Sequence, residues 1–195
     1  MFSHWAAGAN ANGYAVAVAG YRLCPEVNVA DIIADVREAA LLLHRTFRKR
    51  MIVCGHSAGA HLASTLVAAD WQNEDAPSDF VRSGLGISGV FDLAPLIETE
   101  MNLDLRLDAD SAHADSPAYW PVPKCVRFEA WVGGDESSEF LRQSQLIAER
   151  WSAAGAETRF ETVPGANHFT APSELADPSS GMVAALVNVA AATKA

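Results

Sequence analysis

The chain has 195 residues, half of them hydrophobic, and its 24 acidic and 14 basic side chains give a formal net charge of −10. This composition is typical of a globular protein with a sizeable core and excludes the disordered class. An acidic chain repels phosphate groups, so we expect neither nucleic acid nor a membrane as a partner. Three widely spaced cysteines predict neither a disulfide framework nor a metal site. Without a leader or a membrane-spanning run, we expect a cytoplasmic protein.

Strand-like and helix-like segments alternate along the chain. This order predicts an α/β fold with a mostly parallel sheet and helices on both faces, in a single domain over residues 1–195. The predicted strands cover residues 14–19, 51–54, 84–88, 126–132 and 158–163, and the predicted helices cover residues 29–45, 57–69, 139–154 and 181–192. The segment 89–123 is too long for a simple connection, so we expect it to form a lid-like excursion.

The run Gly55-His56-Ser57-Ala58-Gly59 has the Gly-x-Ser-x-Gly pattern of a nucleophile elbow. An apolar strand leads into the run and an alanine-rich helix leads out of it, which is the context that this motif requires. The turn strains the serine backbone, and the two glycines allow the strand and the helix to approach closely. We therefore predict that Ser57 is a nucleophile at the carboxyl edge of the sheet. The N–H of Ala58 is then one donor to the oxyanion.

A serine nucleophile needs a base that is itself oriented by an acid, and in this fold the acid precedes the histidine in the chain. His168 lies in a loop after the last predicted strand and is the base candidate. The acid is expected after the preceding strand, where Asp135 and Glu136 are adjacent. We favour Asp135, because it is nearer the strand end and follows two glycines, and Glu136 is the alternative. His168 would remove the Ser57 proton, and the carboxylate would stabilise the imidazolium.

Eleven stretches carry a resemblance to a known family. They are residues 14–18, 21–25, 31–32, 55–62, 88–96, 101–102, 105–108, 116–117, 132–137, 140–144 and 167–169. In these stretches the chain resembles the kynurenine formamidases (arylformamidases) of the α/β-hydrolase superfamily. The resemblance implies a three-layer α/β-hydrolase fold. It also implies hydrolysis of N-formyl-kynurenine to formate and kynurenine, with no metal or other cofactor.

The implied substrate sets an expectation for the walls of the site. A formyl group needs little acyl pocket, whereas the leaving group is a bulky aromatic amine, so we expect aromatic side chains on that side. The candidates for substrate binding are Phe91, Tyr119, Trp120 and Phe169. The alternative role of each ring is core packing.

The resemblance also implies a His-Gly-Gly motif after an early strand, which would supply further oxyanion donors, and the sequence contains no such motif. We therefore expect an N-terminally shortened member of the family. Loss of one oxyanion donor costs about 3–4 kcal/mol, so we expect weak activity or an oxyanion hole completed by a neighbouring copy in a homo-oligomer. The alternative functions are a carboxylesterase for small acyl esters and a catalytically silent scaffold.

Overall fold

The structure is a computed structural model that describes residues 2–72 and 74–191. Four strands form one sheet in which every neighbouring pair is parallel, in the order β1-β2-β3-β4. The strands are β1 (Met51–His56), β2 (Val81–Ile87), β3 (Arg127–Gly133) and β4 (Glu157–Val163). The carboxyl ends of parallel strands meet at one edge, so the loops that follow the strands lie together there.

Helices cover both faces of the sheet, which confirms the predicted architecture. The helices are α1 (Ala6–Ala11), α2 (Val29–Phe47), α3 (Ala58–Ala68), α4 (Asn102–Leu105), α5 (Ala109–Ala114), α6 (Ser138–Ala153) and α7 (Gly181–Ala191). One face shares an apolar core with α3 and α6, and α2 packs against α3. On the other face, Leu85 and Ile87 pack with Met182 of α7. The predicted last residue of the C-terminal helix, residue 192, lies outside the described residues.

The longest helix, α2, has a sequence-encoded start. Asn28 accepts a hydrogen bond from the backbone N–H of Asp31, and the Asp31 carboxylate accepts one from the N–H of Asn28. This reciprocal cap satisfies two donors that a helix start otherwise leaves unpaired. Ile32 and Val36 then bury one side of the helix. In the described part of the chain, no helix combines the length and the apolarity needed to cross a membrane.

The expected strand over residues 14–19 is wrong. Its alternation of valine and alanine is typical of a strand, but the segment runs as irregular chain outside the four-stranded sheet. A strand exists only where a neighbour completes its hydrogen bonds, and no described strand pairs with this segment. Val16 and Val18 are consequently exposed. The long segment 89–123 contains α4, α5 and two short 3-10 helices, Ala94–Glu98 and Pro117–Tyr119, and its lid-like role stays a prediction.

The junction between β1 and α3 is the tightest backbone contact at the serine. A Cβ atom placed on Gly55 would lie 2.0 Å from the carbonyl oxygen of Gly59, whereas a Cβ on Gly59 would meet no described atom within 4 Å. We expected both glycines to allow β1 and α3 to approach closely. The structure shows this need at Gly55 and not at Gly59. The neighbour of Gly55 is backbone, which cannot swing away as a side chain can.

We expect Gly55→Ala to lower the free energy of unfolding by about 3 kcal/mol, because it forces β1 and α3 apart. Gly59→Ala is the matched control and should change stability by less than about 1 kcal/mol, in the stabilising direction, because alanine favours the helix. Urea unfolding of both variants measures the difference. Equal stabilities would show that the close approach at Gly55 is absent.

Candidate active site

Ser57 lies between β1 and α3 with backbone angles φ 56° and ψ −120°. A non-glycine residue at positive φ is strained, and such strain is typical of functional turns. The turn is held by neighbouring backbone: the Ser57 N–H donates to the carbonyl of Ile87 at 2.9 Å, and its carbonyl accepts from the N–H of Ala60 at 3.0 Å. The strained turn is therefore locked between the β2 end and the first turn of α3.

His168 joins this serine to a carboxylate. Its Nε2 lies 3.2 Å from Ser57 Oγ, and its Nδ1 lies 2.8 Å from Glu136 Oε2. Because an ionised carboxylate only accepts hydrogen bonds, Nδ1 carries the proton and Nε2 is left to accept from the serine hydroxyl. The three side chains thus form the serine, histidine and acid arrangement that activates a hydroxyl nucleophile.

The preference for Asp135 as the acid is wrong, since the carboxylate on His168 belongs to Glu136. Asp135 is exposed, and its backbone N–H donates to the carbonyl of Ala166 at 3.0 Å. This hydrogen bond fixes the backbone at Asp135. The chain then forms a tight turn, in which the N–H of Glu136 donates to the carbonyl of Gly133. The tight turn places residue 136 over the histidine. Gly133 and Gly134, which precede Asp135, form part of this turn and do not bring Asp135 to the histidine.

The Glu136 carboxylate is enclosed, with only 1% of the side chain exposed. Its Oε1 accepts from the hydroxyl of Ser88 at 2.5 Å and from the backbone N–H of Gly133 at 2.7 Å. These donors compensate for the loss of water around the buried charge. Sequence reasoning missed Ser88, although it stands at the carboxyl end of β2, where parallel-sheet sites gather.

His56, which directly precedes Ser57, packs against His168. Its Nε2 lies 2.8 Å from the carbonyl oxygen of His168, and the two rings are 4.6 Å apart. Burial and the nearby His168 lower the pKa of His56. A neutral His56 then donates its Nε2–H to that carbonyl and anchors the loop that carries the base.

Two aromatic rings flank His168. Phe140, in the first turn of α6, lies 4.4 Å from the imidazole between ring centres, and Phe169 lies 5.5 Å from it. Phe169 was among the predicted substrate-binding residues and is 83% exposed beside the triad. Phe140 was not among the predicted residues, although it lies in the first turn of the helix that follows the acid loop.

The other predicted aromatic residues make different contacts. Phe91 is fully buried and packs edge-on against Phe128, so its assignment to the substrate site is wrong. The Tyr119 ring lies under the Arg150 guanidinium at 4.8 Å, and the Trp120 indole donates to the carbonyl of Ala114 at 2.7 Å. These contacts lie within the segment 89–123 and between it and α6. A substrate-binding role for Tyr119 and Trp120 stays a prediction.

Ala58 is the first residue of α3 and is exposed beside Ser57. The first N–H groups of a helix have no intrahelical acceptor, and the helix dipole makes this end positive. The Ala58 N–H is therefore available to a developing oxyanion. Among residues 2–72 and 74–191, no group of three or more His, Cys, Asp or Glu side chains is arranged to hold a metal ion.

A family described as having the alpha/beta hydrolase fold matches residues 3–171 of the chain. The chain belongs to this α/β hydrolase family. The chain is also similar to the kynurenine formamidase of Danio rerio, with 28% identity over 85% of this chain and 58% of the relative. The Drosophila melanogaster kynurenine formamidase is 27% identical over 91% of this chain and 63% of the relative. The resemblance found in the sequence is thus confirmed, and the chain spans about three-fifths of these relatives.

Solved structures show the same fold as this chain. A protein from a Silicibacter species with a proposed thioesterase activity superposes with a TM-score of 0.80 at 34% identity, over 95% of this chain and 68% of that one. The apo form of Thermogutta terrifontis esterase 2 superposes with a TM-score of 0.62 at 19% identity, over 86% of this chain and 70% of the esterase. The second likeness shows the fold alone.

Replacing the carboxylate that contacts His168 should slow the reaction of Ser57 with a fluorophosphonate. We expect Glu136→Gln to lower the labelling rate by about 10³- to 10⁴-fold, because the imidazole loses the charge that orients and stabilises it. Asp135→Asn, one position earlier and exposed, is the matched control and should label within about twofold of the unmodified chain, as surface changes usually do. Slow labelling of Asp135→Asn with normal labelling of Glu136→Gln would contradict the assignment of the acid.

Proposed function

We propose that the chain is a serine hydrolase that cleaves an aryl formamide such as N-formyl-kynurenine into formate and the free aryl amine. The observation that carries this proposal is the hydrogen-bonded series from Glu136 through His168 to Ser57. The similarity to curated kynurenine formamidases, at 27–29% identity, supports the choice of the formamide.

In the first half of the reaction, His168 Nε2 removes the hydroxyl proton as Ser57 Oγ attacks the formyl carbon. Glu136 stabilises the imidazolium that forms, and the Ala58 N–H donates to the oxyanion of the tetrahedral intermediate. His168 then returns the proton to the departing amine nitrogen. The amine leaves, and the formyl group stays on Ser57 as an ester.

In the second half, His168 acts as a base again. It removes a proton from water, which attacks the formyl ester, and it then protonates Ser57 as formate leaves. The formyl carbon carries only a hydrogen, so the acyl side needs little room. The exposed Phe169 and the partly buried Phe140 flank the imidazole and offer apolar surface to the aryl leaving group.

A second candidate is hydrolysis of a small acyl ester or thioester by the same three residues. The similarity to the Silicibacter protein with a proposed thioesterase activity favours this candidate. Thiolate and alkoxide leaving groups make no demand for an aromatic wall. The two candidates therefore differ in the leaving group and share the nucleophile.

Kinetic comparison of N-formyl-kynurenine, p-nitrophenyl acetate and a short acyl thioester separates these functions. We expect kcat/KM to be highest for the formamide, and we expect Ser57→Ala to lower kcat by on the order of 10⁶-fold. Cleavage of the ester or the thioester alone would overturn the formamidase proposal. No cleavage of any substrate would instead support a silent scaffold.

The oxyanion site leads to a second prediction, on how specific activity depends on enzyme concentration. The Ala58 N–H is one donor, and the sequence has no His-Gly-Gly motif to supply others. We propose that a neighbouring copy of the chain completes the site. Specific activity should then rise with enzyme concentration, and a constant specific activity would contradict the contribution of a second copy.

A further inference from the structure

The residue that follows β2, Ser88, has three unusual properties at once. It is fully buried, its φ of 50° is in the left-handed region, and its hydroxyl donates to the Glu136 carboxylate. Glycine adopts such a φ without strain, whereas the Cβ of a serine is sterically strained there. The backbone conformation alone would therefore favour glycine over serine at this position.

The backbone around Ser88 fixes the direction of its hydroxyl. The Ser88 N–H donates to the carbonyl of Trp131 at 2.7 Å, which extends the pairing of β2 with β3 by one residue. The following residue, Gly89, has no room for a side chain, since a Cβ there would lie 2.2 Å from the Phe91 ring. Ser88 is thus held on both sides, and its Oγ reaches Glu136 Oε1 at 2.5 Å.

The two oxygens of Glu136 have separate tasks. Oε2 contacts His168 Nδ1, while Oε1 accepts from Ser88 and from the backbone N–H of Gly133. Two donors on one oxygen prevent the carboxylate from rotating about its last bond. They also replace part of the water that the carboxylate loses on burial.

We propose that Ser88 is a positioning residue of the catalytic machinery, whose hydroxyl holds the Glu136 carboxylate in the orientation that its contact with His168 requires. In the described part of the chain, Ser88 makes no hydrogen bond to Ser57 or to the His168 side chain, and its hydroxyl contacts Glu136, so it acts through that carboxylate. The inference rests on the proposed function, because it assumes that the triad activates Ser57.

The test measures the rate at which a fluorophosphonate labels Ser57, a readout that is independent of which substrate the enzyme prefers. We expect Ser88→Ala and Ser88→Gly each to lower this rate by about 10-fold, as for loss of one hydrogen bond to a charged group. Ser88→Gly relieves the strain at positive φ and should be more stable than Ser88→Ala. A glycine variant that is stable but slow separates the hydroxyl's role from a role in folding.

Ser144→Ala is the matched control. This buried serine of α6 has no hydrogen-bond partner for its hydroxyl among the described residues, so its labelling rate should be unchanged. A double-variant cycle gives the second readout. In a Glu136→Ala background, Ser88→Gly should have no further effect on the labelling rate, because the residue through which it acts is absent.

Normal labelling of Ser88→Gly would overturn the inference on Ser88 and leave the proposed function intact. Equal effects of Ser88→Gly with and without Glu136 would also overturn it, since they would show that Ser88 acts independently of the carboxylate. Absence of Ser57 labelling in the unmodified chain would overturn the proposed function together with the inference.

Discussion

The contact between Gly55 and Gly59 is the constraint on which the rest of the site depends. A Cβ at Gly55 would lie 2.0 Å from the Gly59 carbonyl, so β1 and α3 meet as closely as they do only because residue 55 has no side chain. This approach forces Ser57 into its strained turn, at φ 56°. The same turn leaves the Ala58 N–H beside the serine at the positive end of α3. One steric condition thus positions both the Ser57 side chain and the Ala58 N–H, the proposed nucleophile and oxyanion donor.

Glu136 and His168 lie on two loops that backbone hydrogen bonds join. Gly134 donates to the carbonyl of Val163, the last residue of β4, and Asp135 donates to that of Ala166 in the following loop, so the acid loop and the histidine loop form one hydrogen-bonded unit. The His56 imidazole then ties that unit to the serine, through its contact with the His168 carbonyl. The proposed mechanism needs this preorganisation, because electrostatic catalysis requires the polar groups to be in place before the reaction begins.

Most of the fold and two members of the triad are predictable from the sequence, because local signals mark them. Ser57 stands in a motif with its strand and helix on either side, and His168 follows the last strand. The choice between Asp135 and Glu136 depended on a turn whose backbone partners are about 30 residues away in the chain, which no local pattern contains. The prediction that Phe91 lines the substrate site failed for a similar reason. Phe91 is buried against Phe128, which is distant in the chain, and no local pattern indicates this contact.

The most direct test of the account is to map the covalent adduct that a fluorophosphonate forms with the chain. Peptide mass spectrometry should find a single adduct on Ser57, and His168→Ala should slow its formation strongly while the fold, followed by circular dichroism, is unchanged. An adduct on another side chain, or a labelling rate unaffected by His168→Ala, would contradict the account.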